Sequence, residues 1–407
     1  MENFLLNENY NGKLRVKSAS NNYLILKNGK KLLDTTFCSG TLLLGHANKI
    51  INKQIKKKID LGLAYAIPNI HTDKYSIILK KIFKNYSKFL MCGSGSDAII
   101  KSIRIARAIT NKEYIVMAKG SWHGSVDQTL FDHDDKKKRT LSKGLTKDTI
   151  KKIILVPYND FEKTKKIINK YKSKIALVLL EPIQQEIPSI YNETYIKKTY
   201  DLCKKINILI GFDEMITGMR VNKFSVHQKL NIKPDLCTVG KIIGGGLPIG
   251  VIGLTKNIEK KLQIKNNKVF FGGTFSGNPL VAQTGYKTLD YIYKNKKKIY
   301  FRLEKLSKHF ETKMNLFYND NNIEMKIIRY DSIIKIIYTK KKIKNKKEKK
   351  IIEDKFQEKI KNLRKFTFDN GVFLTLKGAI FFPYTYSLKD LNFLIKILQN
   401  GSIKYFS

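Results

Sequence analysis

Lys241 stands where a lysine could do chemistry, in Thr238-Val239-Gly240-Lys241-Ile242-Ile243-Gly244-Gly245-Gly246-Leu247-Pro248-Ile249-Gly250. The apolar run Leu236-Cys237-Thr238-Val239 leads into it and reads as a short buried strand. The glycines and proline behind it let the backbone turn sharply and pass close to a ligand. A lysine at a strand end, partly desolvated, has a lowered amine pKa and can form a Schiff base with a carbonyl. Taken alone, the stretch reads equally well as a surface lysine before a flexible loop.

Five further stretches bear on that choice. Cys92-Gly93-Ser94-Gly95-Ser96-Asp97-Ala98 follows an apolar run and opens a helical pattern. Small residues there leave backbone N–H groups free for an anion, aided by the helix dipole. Ser96 could cap the helix and donate to a phosphate, although glycine-rich caps are common. Gly120-Ser121-Trp122-His123-Gly124 carries the single tryptophan. An aromatic at a strand end can stack on a flat ring; the alternative is a core tryptophan. Gly211-Phe212-Asp213-Glu214-Met215 sets two acids directly after an apolar strand, and Glu181-Pro182 sets another after Leu180. A carboxylate in that position is costly unless a cation pairs with it, and a protonated ring nitrogen is such a cation. Gly272-Gly273-Thr274-Phe275-Ser276-Gly277-Asn278-Pro279 is a turn whose Thr274 could reach a phosphate. Together these supply a Schiff-base lysine, an acid for a pyridinium nitrogen, an aromatic for a ring face and two phosphate donors. That is the set of parts pyridoxal phosphate needs.

The elements that must position these residues follow from the apolar pattern. Short apolar runs near Phe89–Met91, Tyr114–Met117, Lys152–Val156, Ile175–Leu180, Ile208–Phe212, Leu236–Val239 and Ile249–Gly253 alternate with amphipathic helical stretches. This predicts an α/β domain with a mostly parallel, seven-stranded sheet and ligands at the carboxyl ends of its strands. Before it, Tyr23–Leu33 alternates around Asn28-Gly29, a hairpin signal. Helical spacing covers Lys49–Leu61 and about Tyr75–Asn85. From about 291 the pattern predicts a Lys-rich helix, strands near Glu324–Arg329 and Ile333–Tyr338, a helix near 350–370 and a last helix from Ser387. The expected division is a segment 1–50 packing with the small domain, a large α/β domain 51–290, and a small α+β domain 291–407.

At 407 residues and 42% hydrophobic content the chain can bury a large core. Runs such as Ile175–Leu180 are too short to span a bilayer. Met1–Glu8 lacks the pattern of a signal peptide. Cys38, Cys92, Cys203 and Cys237 are widely spaced, with no CxxC and no His/Cys cluster, so free thiols in a reducing cytoplasm and no metal site are expected. The net charge of +44 points formally toward nucleic acid. Only eight of the basic residues are arginine, and the lysines spread along the whole chain. They read as solvated faces in a Lys-, Asn- and Ile-rich composition. The densest run, Lys340–Lys350, lies away from the chemical motifs. No nucleic-acid or membrane partner is expected.

The joined motifs resemble the class III, fold-type I aminotransferases, and within them the glutamate-1-semialdehyde aminomutase-like branch. The resemblance is carried by Gly-Ser-Gly-Ser-Asp-Ala (93–98), Ser-Ile-Arg-Ile-Ala-Arg (102–107), Trp-His-Gly (122–124), Glu-Pro-Ile (181–183), Asp-Glu-Met-Ile-Thr-Gly-Met-Arg (213–220), Gly-Lys-Ile-Ile-Gly-Gly-Gly-Leu-Pro-Ile-Gly (240–250) and Gly-Thr-Phe-Ser-Gly-Asn-Pro (273–279). It covers about 30–290 strongly and the last hundred residues weakly. It implies that Lys241 is the Schiff-base lysine and proton shuttle, and that Asp213 partners the pyridine nitrogen. Met215 is implied on one ring face and Trp122, where the family commonly has tyrosine, on the other. Gly95 and Ser96 are implied to hold the phosphate, His123 to belong to the cofactor set, and Glu181 to join the hydrogen-bond network beside Asp213. Thr274 is implied to reach the phosphate of a partner subunit in a homodimer with shared sites. The substrates implied are a small-molecule amino donor and a carbonyl acceptor.

The substrate side departs from the pattern. The aminomutase's N-terminal substrate segment is not visible before Asp34, and an aromatic expected near Ser39 is absent. In Lys377-Gly378-Ala379-Ile380-Phe381-Phe382-Pro383, Phe381 takes the place of the arginine of ω-aminotransferases, and the acidic residue of the aminomutase is missing. Glu186 resembles the ω-aminotransferase pattern. The expectation is an aminotransferase with a non-standard acceptor, with the aminomutase as the alternative and a non-catalytic, cofactor-binding relative behind both.

Overall fold

Ile175–Leu180 is a strand whose six apolar residues are all buried, as a strand covered on both faces requires. It lies inside a seven-stranded sheet. In chain order the strands are β1 (Lys88–Cys92), β2 (Tyr114–Ala118), β3 (Ile153–Val156), β4 (Ile175–Leu180), β5 (Ile210–Asp213), β6 (Leu236–Gly240) and β7 (Gly250–Leu254). Their spatial order is β1-β7-β6-β5-β4-β2-β3. β7 runs antiparallel to both its neighbours, and the pairs among β2 to β6 are parallel. β1 and β6 therefore point the same way, and every strand but β7 delivers its carboxyl end to one edge. The computed structural model describes residues 14–134, 137–189, 192–263, 268–375 and 378–407. Met1–Glu8 and Lys377, used in reading the sequence, lie outside the described residues.

The chain forms two compact units: Met1–Asn52 with Gln185–Pro188 and Asn295–Ser407, and Lys53–Gln184 with Ser189–Lys294. Gln185–Pro188, placed by the sequence inside the 51–290 domain, belongs to the first unit. The second unit holds the seven-stranded sheet. Apolar residues of the helix Gly95–Thr110, among them Ile99, Ile103 and Ala106, pack with strand residues such as Ile115, Leu177 and Ile252 into its core.

In the first unit the hairpin turns at Asn28-Gly29, where Gly29 has φ +84° and Tyr23 pairs with Leu33. Its sheet also contains Val16–Ser20 and, from far along the chain, Val372–Phe373, which pairs parallel with Leu33–Asp34. The expected helix near 350–370 is two helices, Lys346–Lys355 and Gln357–Asp369, broken at Phe356. The Lys-rich helix runs Lys296–Asp320, separated at Asn295 from Pro279–Lys294. The last helix, Leu388–Phe406, is capped by Ser387 in a reciprocal box with Asp390. No helix among the described residues is long and apolar enough to cross a membrane.

Candidate active site

Asp213 ends β5 and pairs in parallel register with Thr238 of β6, so it lies beside the strand that leads into Lys241. Its carboxylate is buried, 4% exposed, and must be satisfied there. Oδ2 accepts from His123 Nδ1 at 2.8 Å, and Oδ1 accepts from the Met215 amide at 3.1 Å and the Thr238 hydroxyl at 3.4 Å. An acceptor-only carboxylate assigns the Nδ1 proton to His123. His123 Nε2 is buried and has no hydrogen-bond partner. A buried polar atom left in that state marks a place where a ligand or ordered group belongs.

The segment after β2 is gripped from several sides. Glu181 Oε2 accepts the Trp122 amide at 3.3 Å, and Gln184 Nε2 donates to Ser121 Oγ and Lys119 O. Ser96 Oγ accepts the Ser125 amide at 3.0 Å. Gly124, at φ +79°, admits this approach, because a Cβ there would stand 2.5 Å from Ser96 Oγ. Ser121 and His123 are consequently buried while the Trp122 ring between them is 52% exposed. The core-tryptophan alternative therefore fails: the flanks are fixed and the ring faces outward. Glu181 thus holds this segment by the backbone of Trp122.

In the turn 93–96 the helix cap is Ser94, not Ser96. Ser94 has extended backbone angles, and its hydroxyl accepts the Asp97 amide at 3.1 Å. Ser96 already lies within the first helical turn. Met215 comes next to this turn. A Cβ on Gly95 would meet its Sδ at 3.1 Å, and one on Gly240 at 2.5 Å. The two glycines thus let the Met215 thioether lie between the turn 93–96 and the end of β6. Lys241 follows directly, half-buried, opening a 3-10 turn at φ +50°, a strained conformation for a lysine. Its ammonium hydrogen-bonds no described residue.

Thr274 is exposed in the turn 274–277, and its hydroxyl hydrogen-bonds no described residue. Glu214, the second acid after β5, is fully occupied. Its oxygens accept from Thr217 Oγ1, the Val226 amide, the His227 amide and His227 Nδ1 at 2.7–3.0 Å. The fold brings Cys237 to the same place, so that Glu214, His227 and Cys237 offer ligand atoms within 4.8 Å, a grouping not visible in the sequence spacing. The hydrogen bonds already satisfy that carboxylate, and burial pushes the Cys237 thiol well up, away from the thiolate a metal prefers. All four cysteines are free.

Comparison with known proteins gives this geometry its context. The family model of class-III aminotransferases matches residues 6–390. The chain belongs to this family. Its relatives include a glutamate-1-semialdehyde 2,1-aminomutase of Thermosipho africanus, 33% identical over 88% of this chain and 84% of that protein. Another, from Methanococcus maripaludis, is 31% identical over 88% and 83%. Among solved structures, an ω-transaminase from Sphaerobacter thermophilus superposes with TM-score 0.87 at 19% identity, covering 96% of this chain and 91% of that one. A glutamate-1-semialdehyde aminomutase from Pseudomonas aeruginosa, in complex with PMP, gives 0.84 at 17%, covering 97% and 88%.

As a class III aminotransferase the protein is a pyridoxal phosphate-dependent enzyme of fold-type I. The residues present fit that cofactor. A buried anion with an acceptor lone pair to spare, an unpartnered imidazole nitrogen beside it, an exposed indole and a free lysine gather at the sheet edge. Gln184 and Lys101, which hold the turns from behind, were not singled out by the sequence. The only signal for Lys101 was its spacing of four from Asp97 on a helix.

Proposed function

We propose that this enzyme transfers an amino group between a small-molecule donor and a carbonyl acceptor, with Lys241 and Asp213 as its catalytic pair. The observation that carries this is the buried Asp213 carboxylate, held by His123 and lying one strand over from β6, which leads into Lys241. Bound pyridoxal phosphate supplies an aldehyde that carries the amino group and a ring that takes up electrons. Lys241 Nζ would hold the aldehyde end and move protons at the reacting carbon. Asp213 would keep the ring nitrogen protonated, with its carboxylate oriented by His123. Trp122 and Met215 would bound the ring, and the turn 93–96 would bind the phosphate.

The dimer belongs to this reading. Phe270 and Phe275 beside Thr274 are 75% and 68% exposed. Leu61, Leu63, Tyr65 and Ile67 are exposed in a segment tied to the same turn by Asn278 Nδ2 donating to Leu63 O at 3.1 Å. Apolar side chains massed in this way favour a covering partner, and a second copy would bring Thr274 to its neighbour's phosphate.

Aminomutase chemistry is the second reading, favoured by the names of the relatives at 30–33% identity. Glu186 no longer counts for the transferase, because its carboxylate is taken by Lys335 at 2.8 Å and Lys349 at 3.0 Å. The departures at Ser39 and Phe381 still count. They lie close together in the first unit, where Gly40 rests so near the Phe381 ring that a Cβ would stand 3.0 Å from it. The buried Phe381 ring offers neither the arginine of the one pattern nor the acid of the other. A half-reaction screen of amino donors, followed by absorbance, decides between the readings. Conversion of glutamate-1-semialdehyde to 5-aminolevulinate without a donor, faster than any two-substrate reaction, would establish the mutase instead.

A further inference from the structure

The helix Gly95–Thr110 carries a buried charge pair that the reaction outlined above does not use. Lys101 is 3% exposed, and its ammonium lies 2.8 Å from Asp97 Oδ2, one turn earlier. Such an ammonium is costly to bury unless its N–H groups are met. The same Asp97 oxygen accepts the Gly93 amide at 3.1 Å, and the Asp97 amide donates to Ser94 Oγ. Asp97 therefore braces the turn 93–96. The second contact of Lys101 Nζ is Ser276 Oγ, at 3.4 Å, in the turn that carries Thr274. Arg104, one turn farther along the helix, donates to Phe270 O at 2.8 Å. Two cations of one helix thus hold both ends of the segment 270–276.

The charges explain why a cation is needed at 101. A carboxylate near a helix start suits the free N–H groups. It also repels a phosphate seated on the same turn. An ammonium bonded to that carboxylate cancels the repulsion and leaves the N–H groups to the ligand. Methionine at 101 would fill much the same space and leave Asp97 uncompensated.

We propose that Lys101 is a positioning residue for the cofactor phosphate, neutralising Asp97 beneath the turn 93–96 and tethering to that turn the segment that bears Thr274. This rests on the cofactor reading above. Through it, the phosphate turn of one site and the residue offered to the neighbouring site move as one body.

The test titrates pyridoxal phosphate and pyridoxal, which lacks the phosphate, into cofactor-stripped full-length protein. The proteins are wild type, Lys101→Met, Lys101→Arg, Asp97→Asn and the Lys101→Met/Asp97→Asn double variant. Lys101→Met is expected to weaken pyridoxal phosphate about tenfold, the scale of one partly screened charge interaction, and to leave pyridoxal unchanged. Lys101→Arg should keep most of the affinity, and the double variant should regain most of it because the uncompensated carboxylate is gone. Equal weakening of both ligands, no weakening, or a double variant no better than Lys101→Met overturns the proposal. Should Lys101→Met not fold, Asp97→Asn decides: it should bind pyridoxal phosphate at least as tightly as wild type, and weaker binding of that ligand alone refutes it. A wild type that binds pyridoxal but gains nothing from its phosphate refutes the Lys101 proposal and leaves the Lys241 assignment standing. A wild type that binds neither overturns both.

Discussion

Asp213→Asn removes one charge and almost no volume, so it isolates what the carboxylate does. In the native site one oxygen pairs with His123 Nδ1 at 2.8 Å, and the other accepts from Met215 and Thr238. An asparagine can keep its oxygen toward the Met215 amide and turn its amide nitrogen toward His123, which then shifts its proton to Nε2. The local hydrogen bonds survive in number, so the fold should hold, with a stability loss of about 1 kcal/mol. What does not survive is the negative charge that holds a proton on a ring nitrogen. Losing one partner of a buried charge pair costs about 3–5 kcal/mol. If that falls wholly on the transition state, turnover drops by roughly two to four powers of ten.

The assay is kcat/KM for any donor the half-reaction screen identifies, with a thermal melt to confirm folding. A drop within about threefold, roughly 0.65 kcal/mol on the barrier, would refute the assignment. Glu214 could not inherit the role, because four donors already fill its carboxylate. Glu181, which accepts the Trp122 amide, would be the acid left to examine.

Three further outcomes are expected. Borohydride treatment should fix a pyridoxyl group on Lys241, seen by peptide mass, and Lys241→Ala should fold, lose the attachment and lose turnover; wild-type rates would refute the assignment. Thr274→Ala should weaken cofactor binding about tenfold, one charge-assisted hydrogen bond, while Lys241 is still labelled; a fully active monomer on dilution would disprove the shared site. Glu186→Gln should destabilise the protein by about 3–5 kcal/mol in urea unfolding, because it leaves Lys335 and Lys349 buried without their common anion. The same group sets a pH dependence. Burial alone would push the Glu186 carboxyl up, but the Lys335 and Lys349 ammoniums outweigh it and hold the group well below its usual range. A depressed carboxyl contributes stability above its unfolded value of about 4.3 and loses it as pH falls further. Burial, against the pull of Glu186, brings the Lys335 amine down to about 8, so that group favours folding increasingly as pH rises from there toward about 10.4. The acid limb should vanish in Glu186→Gln; an unchanged acid limb would refute the pairing.

How much of this was legible in the sequence varies with the physics of each element. Ile175–Leu180 is legible because burial on both faces leaves an unbroken apolar run. Val16–Ser20 is not, because an exposed strand of Val-Lys-Ser-Ala-Ser carries no alternation to read. The break at Phe356 is hidden because Lys and Glu continue on both sides of it. Ser94 and Ser96 have the same chemistry two residues apart, and only the backbone angles decide which one caps. Trp122 is exposed because Glu181, Gln184 and Asp213 hold its flanks, and those grips come from strands far along the chain.

Lysine shows the same limit most sharply. In a chain with 78 Lys and Arg, the residue type carries almost no information; what separates the working lysines is burial together with the presence or absence of an anion. Lys335 and Lys349 are buried against Glu186, and Lys101 against Asp97. These are paired charges, each ammonium held in one geometry by its carboxylate partner. Lys241 is the contrary case: half-buried, at a strained turn, with a carboxylate one strand away that is already committed to His123. An amine in that setting is free to make and break a bond to a ligand without first leaving an ion pair. The glycines around it are what the sequence offers as a marker. The absence of a partner among the described residues, which makes the lysine useful, emerges only when the strands are laid side by side.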